Sequence, residues 1–351
     1  MIGSLLLHPA YKIQIGQLKL VPNESEGEVT GIAVEMSMDA PSNLFEGFLR
    51  VKEQGLEFDK GDSVIVSLGY DEDTQTDVFK GSIHTLSSKF SRVSVYALSS
   101  MSNLCNLHID RFYEQQTAGA VIKDLARTVG VSLDEVADGI HLPYYAVSSK
   151  KNAYEHIRDL AQDSGFDTYF TNEDKLVFKK YDGTKKHTLE YGKDILNIVK
   201  TDQKNQVQSV KVVGESPSST KGADTSHWLT KQQIKGTASG SARGTGGGAR
   251  ALGGTETGSG SGPNQVLVQN RLVRDTETAS KVAEANLARL ESTTNLLVEI
   301  VGSSKIMLGH GVKIEKMPDK LLNGEYQVRT VEHYLSKSSG FITTLRCRGV
   351  N

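Results

Sequence analysis

The chain has 351 residues, and its 40 Lys and Arg nearly balance its 42 Asp and Glu, for a formal net charge of −2. A protein that grips nucleic acid through phosphates normally carries a basic excess, so no sequence-specific nucleic-acid partner is expected. The 37% hydrophobic and 23% charged residues are typical of a folded globular chain. No apolar run approaches the roughly 20 residues that span a bilayer, so no membrane insertion is predicted.

Residues 1–100 are predicted to form a first antiparallel β-barrel. Ile13 and Ile15 alternate with polar residues, as do Val64 and Val66, which is the pattern of half-buried strands. Asn, Asp, Gly and Pro separate these short runs, and no helical period intervenes. Regularly punctuated short strands are typical of a small barrel or sandwich.

Residues 101–190 are predicted to form an α/β insert. Thr117 can cap a helix that ends at Gly130. Asn152, with Glu155 three residues later, has the spacing of a capping box at the start of a second helix. Gly165 closes that helix, and a predicted strand pair follows it.

A second barrel is predicted from residues 191–215 and 293–351, split by an insertion over 216–292. Residues 236–262 hold eleven of the 34 glycines and are predicted to be a flexible loop. A helix capped by Asp275 is predicted over 275–291. The predicted fold is therefore mainly β with an α/β insert: two tandem antiparallel β-barrels, the second split by a long insertion.

A weak internal repeat connects the two predicted barrels. Apolar and glycine positions recur 248 residues apart, and the matched pairs are Gly61 and Gly309, Val64 and Val312, Val66 and Ile314, Ile83 and Val331, Val93 and Phe341. Five matches are few, but both blocks read as a glycine turn followed by three short strands. The repeat predicts two copies of one β unit.

The sequence lacks the motifs of known reactive sites. Cys105 and Cys347 are the only cysteines, and neither belongs to a C-x-x-C pair. No H-E-x-x-H, G-x-S-x-G or G-x-x-x-x-G-K-[ST] motif occurs. We therefore predict no catalytic residue, no metal site and no cofactor. The acidic run Asp71-Glu72-Asp73 is an ordinary solvated turn unless folding places two carboxyls across a cleft.

The insertion carries the predicted interface residues Trp228, Leu229, Arg243 and Arg250. Trp228 is the only tryptophan, and aromatic residues dominate interface energetics. Packing of Trp228 onto the nearby helix is an equal alternative. Residues 216–262 hold five Lys or Arg and two Asp or Glu, a balance that suits an acidic partner.

Several motifs in fixed order resemble the late-control protein D family of contractile phage tails and related injection systems. They are Phe58-x-x-Gly61-Asp62-x-Val64-x-Val66-x-x-Gly69-Tyr70, Phe79-x-Gly81-x-Ile83, Val93-x-Val95-x-Ala97, Thr117 to Gly130, Leu160 to Phe166, Gly324-Glu325-Tyr326-x-Val328-x-x-Val331-x-His333 and Gly340 to Leu345. The resemblance covers most of the chain except 216–290. Within these motifs, the predicted fold-defining residues are Gly61, Asp62, Gly81, Gly324, Tyr326 and His333.

The resemblance implies a structural, non-enzymatic baseplate hub. Such proteins form a homotrimer whose six similar barrels match a six-fold inner tube to a three-fold spike. The expected partners are an inner tube protein, a spike protein and baseplate wedge proteins. The longer valine-glycine-repeat spike proteins of this family continue into a β-helical needle, which this sequence lacks, so a separate spike is expected.

The expected location is an assembled phage tail or injection particle, after synthesis in a bacterial cytoplasm. Two alternatives are a tail-associated cell-wall hydrolase and a receptor- or carbohydrate-binding tail module. The hydrolase requires converging carboxylates or a Cys/His pair. The binding module requires a clustered aromatic surface, whereas aromatic residues total only 7%.

Overall fold

The computed structural model describes residues 8–22, 27–51, 58–70, 75–90, 92–203, 207–214, 234–239, 264–270, 272–291 and 294–350. The fold is mainly β with an α/β insert, as predicted. Buried apolar side chains of the described residues form three clusters, which lie in a large sheet, in the insert and in a small sheet covered by one helix.

The large sheet has thirteen strands, which fall into two sets. Alternating apolar residues such as Ile13, Val64 and Val66 form its core, as the alternation predicts. The first set has the lateral order β2-β1-β5-β6-β7-β4-β3 and is antiparallel throughout. Its strands are β1 (Ala10–Ile15), β2 (Leu18–Leu20), β3 (Gly27–Ser37), β4 (Leu44–Val51), β5 (Ser63–Gly69), β6 (Thr76–Lys89) and β7 (Arg92–Leu98).

The second set has the lateral order β13-β19-β20-β21-β18-β14. The pair β13–β19 is parallel and the others are antiparallel. Its strands are β13 (Lys186–Glu190), β14 (Ile195–Asp202), β18 (Thr294–Val301), β19 (Gly311–Glu315), β20 (Gly324–Ser336) and β21 (Gly340–Gly349). A short 3₁₀ turn, Lys320–Leu322, precedes β20.

One ladder joins the two sets. The distal part of β20 pairs with β3 over Thr330 to Ser336, while β21 lies on its other side. The proximal part of β20 pairs with β19 instead. The long strand β20 therefore belongs to the second set and also pairs with β3, the edge strand of the first set.

The two sets repeat one strand order. The orders β5-β6-β7-β4-β3 and β19-β20-β21-β18-β14 match position by position. Two irregularities match as well, because β3 and β14 are both bulged, at Thr30 and Leu196, and β6 and β20 are both bulged, at His84 and Arg329. A third, at Val78 on β6, lies beyond the end of the shorter β19–β20 ladder. A bulge fixes local register, so these matches define residue-by-residue counterparts.

These counterparts correct the constant offset of 248. Val64 and Val312 are equivalent at that offset, but the ladders make Val328 the counterpart of Ile83 and Cys347 the counterpart of Ala97. The predicted pairs of Ile83 with Val331 and of Val93 with Phe341 are therefore out of register. The turns between equivalent strands differ in length, so a single offset cannot hold across all three.

The insert contains three helices and two small sheets. Thr117 caps the second helix by accepting from the Ala120 N–H, and Asn152 and Glu155 form the predicted capping box. One sheet pairs β8 with β10, and the other has the order β11-β12-β9. The elements are α1 (Met101–Asn106), β8 (Arg111–Thr117), α2 (Ala118–Thr128), β9 (Ser132–Val136), β10 (His141–Val147), α3 (Ala153–Ser164), β11 (Asp167–Phe170) and β12 (Lys175–Lys179).

A small sheet has the order β16-β15-β17 and packs against the last helix. Asp275 caps this helix as predicted, by accepting from the Thr278 N–H at 2.7 Å. The elements are β15 (Ser209–Gly214), β16 (Lys235–Ser239), β17 (Gln265–Asn270) and α4 (Thr276–Glu291).

Strand membership differs from the predicted division at three points. β13 joins the large sheet although it was placed in the insert over 101–190, and β15 joins the small sheet although it was placed in the second barrel. The helix α4 covers the apolar side chains of β15, which therefore do not need the large sheet.

Residues 236–239 of the predicted glycine loop lie in β16, where a Cβ on Gly236 would come within 2.2 Å of Ala279. This glycine allows a strand to lie close on a helix. The rest of the predicted loop lies outside the described residues.

Candidate assembly surfaces

The predicted interface residues Trp228, Leu229, Arg243 and Arg250 all lie outside the described residues. The six predicted fold-defining residues lie in the large sheet. Gly61, Asp62 and Gly81 come together where β5 meets β6. Gly324, Tyr326 and His333 lie along β20, so the two groups occupy corresponding strand pairs of the two sets.

Gly61 forms a turn that recurs in the second set. Its φ is +94°, in the region that favours glycine, and its N–H donates to Ile83 O at 2.8 Å, while Ile83 N–H donates to Asp62 O at 2.9 Å. Gly309, with φ +75°, donates to Val328 O, and Val328 N–H donates to His310 O. Each turn fastens the start of one strand to its neighbour with the same two hydrogen bonds.

Gly81 and Tyr326 are counterparts with different packing. A Cβ on Gly81 would lie 2.3 Å from Leu98 O, so the backbones of β6 and β7 approach too closely there for any side chain. Tyr326 is buried and donates its hydroxyl to Leu322 O at 3.2 Å, which ties the 3₁₀ turn to β20. Gly324 begins β20 directly after that turn, with φ +159°.

His333 is a core residue of β20. Its side chain is 1% exposed, and its Nδ1 lies 2.9 Å from Thr343 Oγ1. Its Nε2 has no hydrogen-bond partner within the part of the chain that the structure describes. Burial lowers the pKa of His333 to about 3, so the ring is neutral at pH 7. His333 therefore packs as a neutral residue inside the large sheet.

Arg329, the bulge residue of β20, clamps the insert to the large sheet. Its guanidinium donates to Asp167 Oδ1 at 3.0 Å and to Asp39 Oδ1 at 2.8 Å. Gln327 Nε2 donates to the second oxygen of Asp167 at 2.6 Å. Burial acts to raise the pKa of Asp39, but the hydrogen bonds and charge of Arg329 outweigh it and hold that pKa below its usual value. The bulge therefore places the Arg329 side chain in contact with both β11 and the turn that follows β3.

A second contact involves the half-buried carboxyl of Asp174. Its Oδ1 accepts from the Ser100 N–H at 2.8 Å and from Ser100 Oγ at 3.0 Å, and burial raises its pKa to about 6. Burial also raises the pKa of Asp163 to about 6, and Asn270 Nδ2 donates to it at 2.9 Å. Each of these carboxyls therefore accepts a hydrogen bond from a residue distant in the sequence.

The described residues contain no group of three His, Cys, Asp or Glu placed to hold a metal ion. None of their helices combines the length and apolarity needed to cross a membrane.

The main surface feature that sequence reasoning missed is a pair of free strand edges. The distal part of β6 has β7 on one side, and β14 has β18 on one side; none of the described strands pairs with either on the other side. Exposed apolar side chains accompany both edges, namely Phe90 at the tip of the β6–β7 hairpin and Leu196 and Val199 on β14. Only the pairing pattern of the structure reveals that these edges are free.

Solved structures share this fold over nearly the whole chain. A 43 kDa tail protein of prophage MuSo2 from Shewanella oneidensis matches with a TM-score of 0.70 and 15% identity, over 97% of this chain and 98% of that one. A tail protein from Neisseria meningitidis MC58 matches with a TM-score of 0.68 and 13% identity, over 97% and 96%. The fold is therefore one that phage tail proteins have.

A third solved structure extends the likeness to a secretion machine. The E. coli c3393 protein, a component of the type VI secretion system, matches with a TM-score of 0.61 and 10% identity, over 97% of this chain and 77% of that one. That protein is described as structurally similar to the T4 bacteriophage tail proteins gp27 and gp5.

Comparison with family models gives the family. Residues 53–337 match the model described as the Alg8 N-terminal domain, and the chain belongs to that family. This description names neither a tail nor a hub, so the resemblance to late-control D proteins is not reproduced by this match. No curated protein matches the chain.

Proposed function

We propose that this protein is a structural hub of a contractile tail or injection system. In this role three copies form a ring that joins a six-fold inner tube to a three-fold spike. The partners are an inner tube protein, a separate spike protein and baseplate wedge proteins. The protein is made in a bacterial cytoplasm and becomes part of an assembled particle.

The duplicated strand order is the observation that carries this proposal. Five strands of each set match in order, direction and bulge position. One copy therefore presents two equivalent β units, which we propose to be barrels. Three copies in a closed ring would present six, because head-to-tail contacts close when their rotation divides a full turn. Such a ring has six similar units on one face and three-fold symmetry overall.

The tail proteins with this fold support the same role. A likeness of 10–15% identity shows a shared fold, and one fold hosts many functions. The likeness gains weight because it spans 97% of this chain and includes both strand sets and the insert. A structural role also fits the described carboxyls with raised pKa, which hold segments together.

Mass measurement with the expected partners tests this proposal. We expect the purified chain, alone or with spike protein, to sediment as three copies of 38.2 kDa. An inner tube protein should bind that trimer, and bind a monomeric variant less tightly. A stable monomer that binds neither partner would contradict the hub. Clearing of peptidoglycan by that monomer would favour the hydrolase.

A further inference from the structure

We propose that the β14 edge of one copy adds to the β6 edge of a second copy as an antiparallel strand. The internal repeat supplies the geometry, because the chain already contains the same contact between its own two sets. Within one chain, β20 of the second set pairs with β3 of the first. The counterparts of these strands are β6 and β14, and no described strand pairs with the distal part of β6 opposite β7 or with β14 opposite β18.

The matched bulges give this contact a register. Glu332 pairs with Glu35 in the chain, and their counterparts are Ser87 and Thr201. His333 pairs with Val34, and their counterparts are Ser88 and Lys200. Ser87 of one copy should therefore lie opposite Thr201 of the next.

Side chains at the β20–β3 contact are buried, whereas side chains at the equivalent positions of β6 and β14 are more exposed. This difference is expected if the partner strand of β6 and β14 belongs to a second copy. Leu335 pairs with Ile32, and both are buried, at 7% and 0% exposed. The β6–β7 ladder ends at Lys89, and the next residue, where the register would place the counterpart of Leu335, is the turn residue Phe90, which is fully exposed. The counterpart of Ile32 is Ile198, which is half-buried. Val199 is also 50% exposed. A second copy would cover apolar side chains at β6 and β14, as the ladder within the chain covers the equivalent side chains at β20 and β3.

Free strand edges commonly recruit another strand. The two edges differ, so each copy offers one of each and the contact is head-to-tail. Such a contact makes a ring or a filament. The closure at three copies rests on the proposed function, whereas the edge contact and its register do not.

Disulfide trapping tests the register in the full chain. The variant Ser87→Cys/Thr201→Cys, with Cys105→Ser as background, should give bands of two and three copies on a non-reducing gel after mild oxidation. The matched control is Ser87→Cys/Asn197→Cys. Asn197 is also exposed on β14 but lies four residues away, or about 13 Å along the strand. The control should cross-link at least tenfold less.

A second variant tests the apolar contact without a cross-link. Phe90→Asp replaces a fully exposed side chain, so the single chain should fold unchanged. Sedimentation should show the dissociation constant of self-association rising about tenfold or more, as expected for a lost buried aromatic contact. The control Leu267→Asp changes a 60% exposed side chain on β17 and should leave it unchanged.

The outcomes separate this inference from the proposed function. An oligomer that forms without the in-register bond, or with both bonds equally, overturns the edge contact and leaves the hub standing. A bond between the two introduced thiols of the same copy also overturns it, since the two edges would then meet within one chain. A chain that stays monomeric at every concentration, both alone and with spike protein, and cross-links nowhere overturns both the contact and the trimer. In-register bands with a weakened Phe90→Asp variant support it.

Discussion

Two glycines of the large sheet, Gly61 and Gly81, are required at their positions for different physical reasons. Gly61 needs its backbone angle, because φ of +94° is strained for other residues, but open space surrounds it. Gly81 needs the absence of a side chain, since the backbone of Leu98 occupies the space. Sequence motifs marked both positions but did not distinguish the reasons, because the second depends on how closely two strands approach.

Replacing these glycines should therefore have unequal effects. Gly61→Ala should cost about 1–2 kcal/mol, the strain of a left-handed alanine. Gly81→Ala should cost about 3 kcal/mol, because backbone atoms must move to relieve an overlap. Urea unfolding of both variants measures the difference. Equal losses would contradict the close approach of β6 and β7.

His333 should make the protein less stable in acid. Its pKa in the folded chain is about 3, below the unfolded value near 6.5. Both states are neutral above pH 6.5, so its contribution is fully present there. Below pH 6.5 only the unfolded state takes up a proton, which costs about 1.4 kcal/mol per pH unit.

The measurement is the free energy of unfolding at pH 7 and pH 5, compared between the wild type and His333→Gln. The wild type should lose about 2 kcal/mol more than the variant over this range. Asp163 and Asp174, whose raised pKa values of about 6 act in the opposite direction, are present in both proteins and cancel. Parallel pH profiles would contradict a buried neutral imidazole at this position.

At the scale of elements, local signals predicted well and pairing did not. The caps at Thr117, Asn152 and Asp275 are all confirmed, because a helix cap depends on three or four neighbouring residues. The strand β15 was assigned to the wrong sheet, because its alternating valines suit any covered sheet. Which partner covers a strand depends on residues far away in the sequence.

Arg329 is the element-scale contact with the clearest expected effect. Arg329→Ala removes the cation between Asp39 and Asp167 and should cost about 2 kcal/mol, less than a fully buried pair because Asp39 is only partly buried. The control Arg346→Ala breaks an exposed pair with Glu332 and should cost below about 1 kcal/mol. Hydrogen exchange in β11 should speed up only in Arg329→Ala. Unchanged exchange there would mean that other contacts hold the insert.

At the scale of the whole molecule, the repeat was visible in the sequence only as a set of five spaced residues. In the structure the repeat consists of two strand sets with matched bulges. The pairing of β20 with β3 also shows how the unpaired edges of β6 and β14 could pair with each other between copies. Indels in the hairpins hid the true counterparts, since they shift β6 and β7 in opposite directions. The assembly argument therefore required pairing, which no single offset could supply.

Self-association through these edges should make thermal stability depend on concentration. A partner that binds only the folded chain stabilises it by about 2.7 kcal/mol when its free concentration is a hundred times the dissociation constant. The Tm of the wild type should therefore rise when protein concentration is increased a hundredfold, as measured by scanning calorimetry. The Tm of Phe90→Asp should rise less than that of the wild type over that range and equal it when both proteins are dilute, because an exposed residue contributes little to the single chain. A wild-type Tm that does not change with concentration would show that the folded single chain is the stable species.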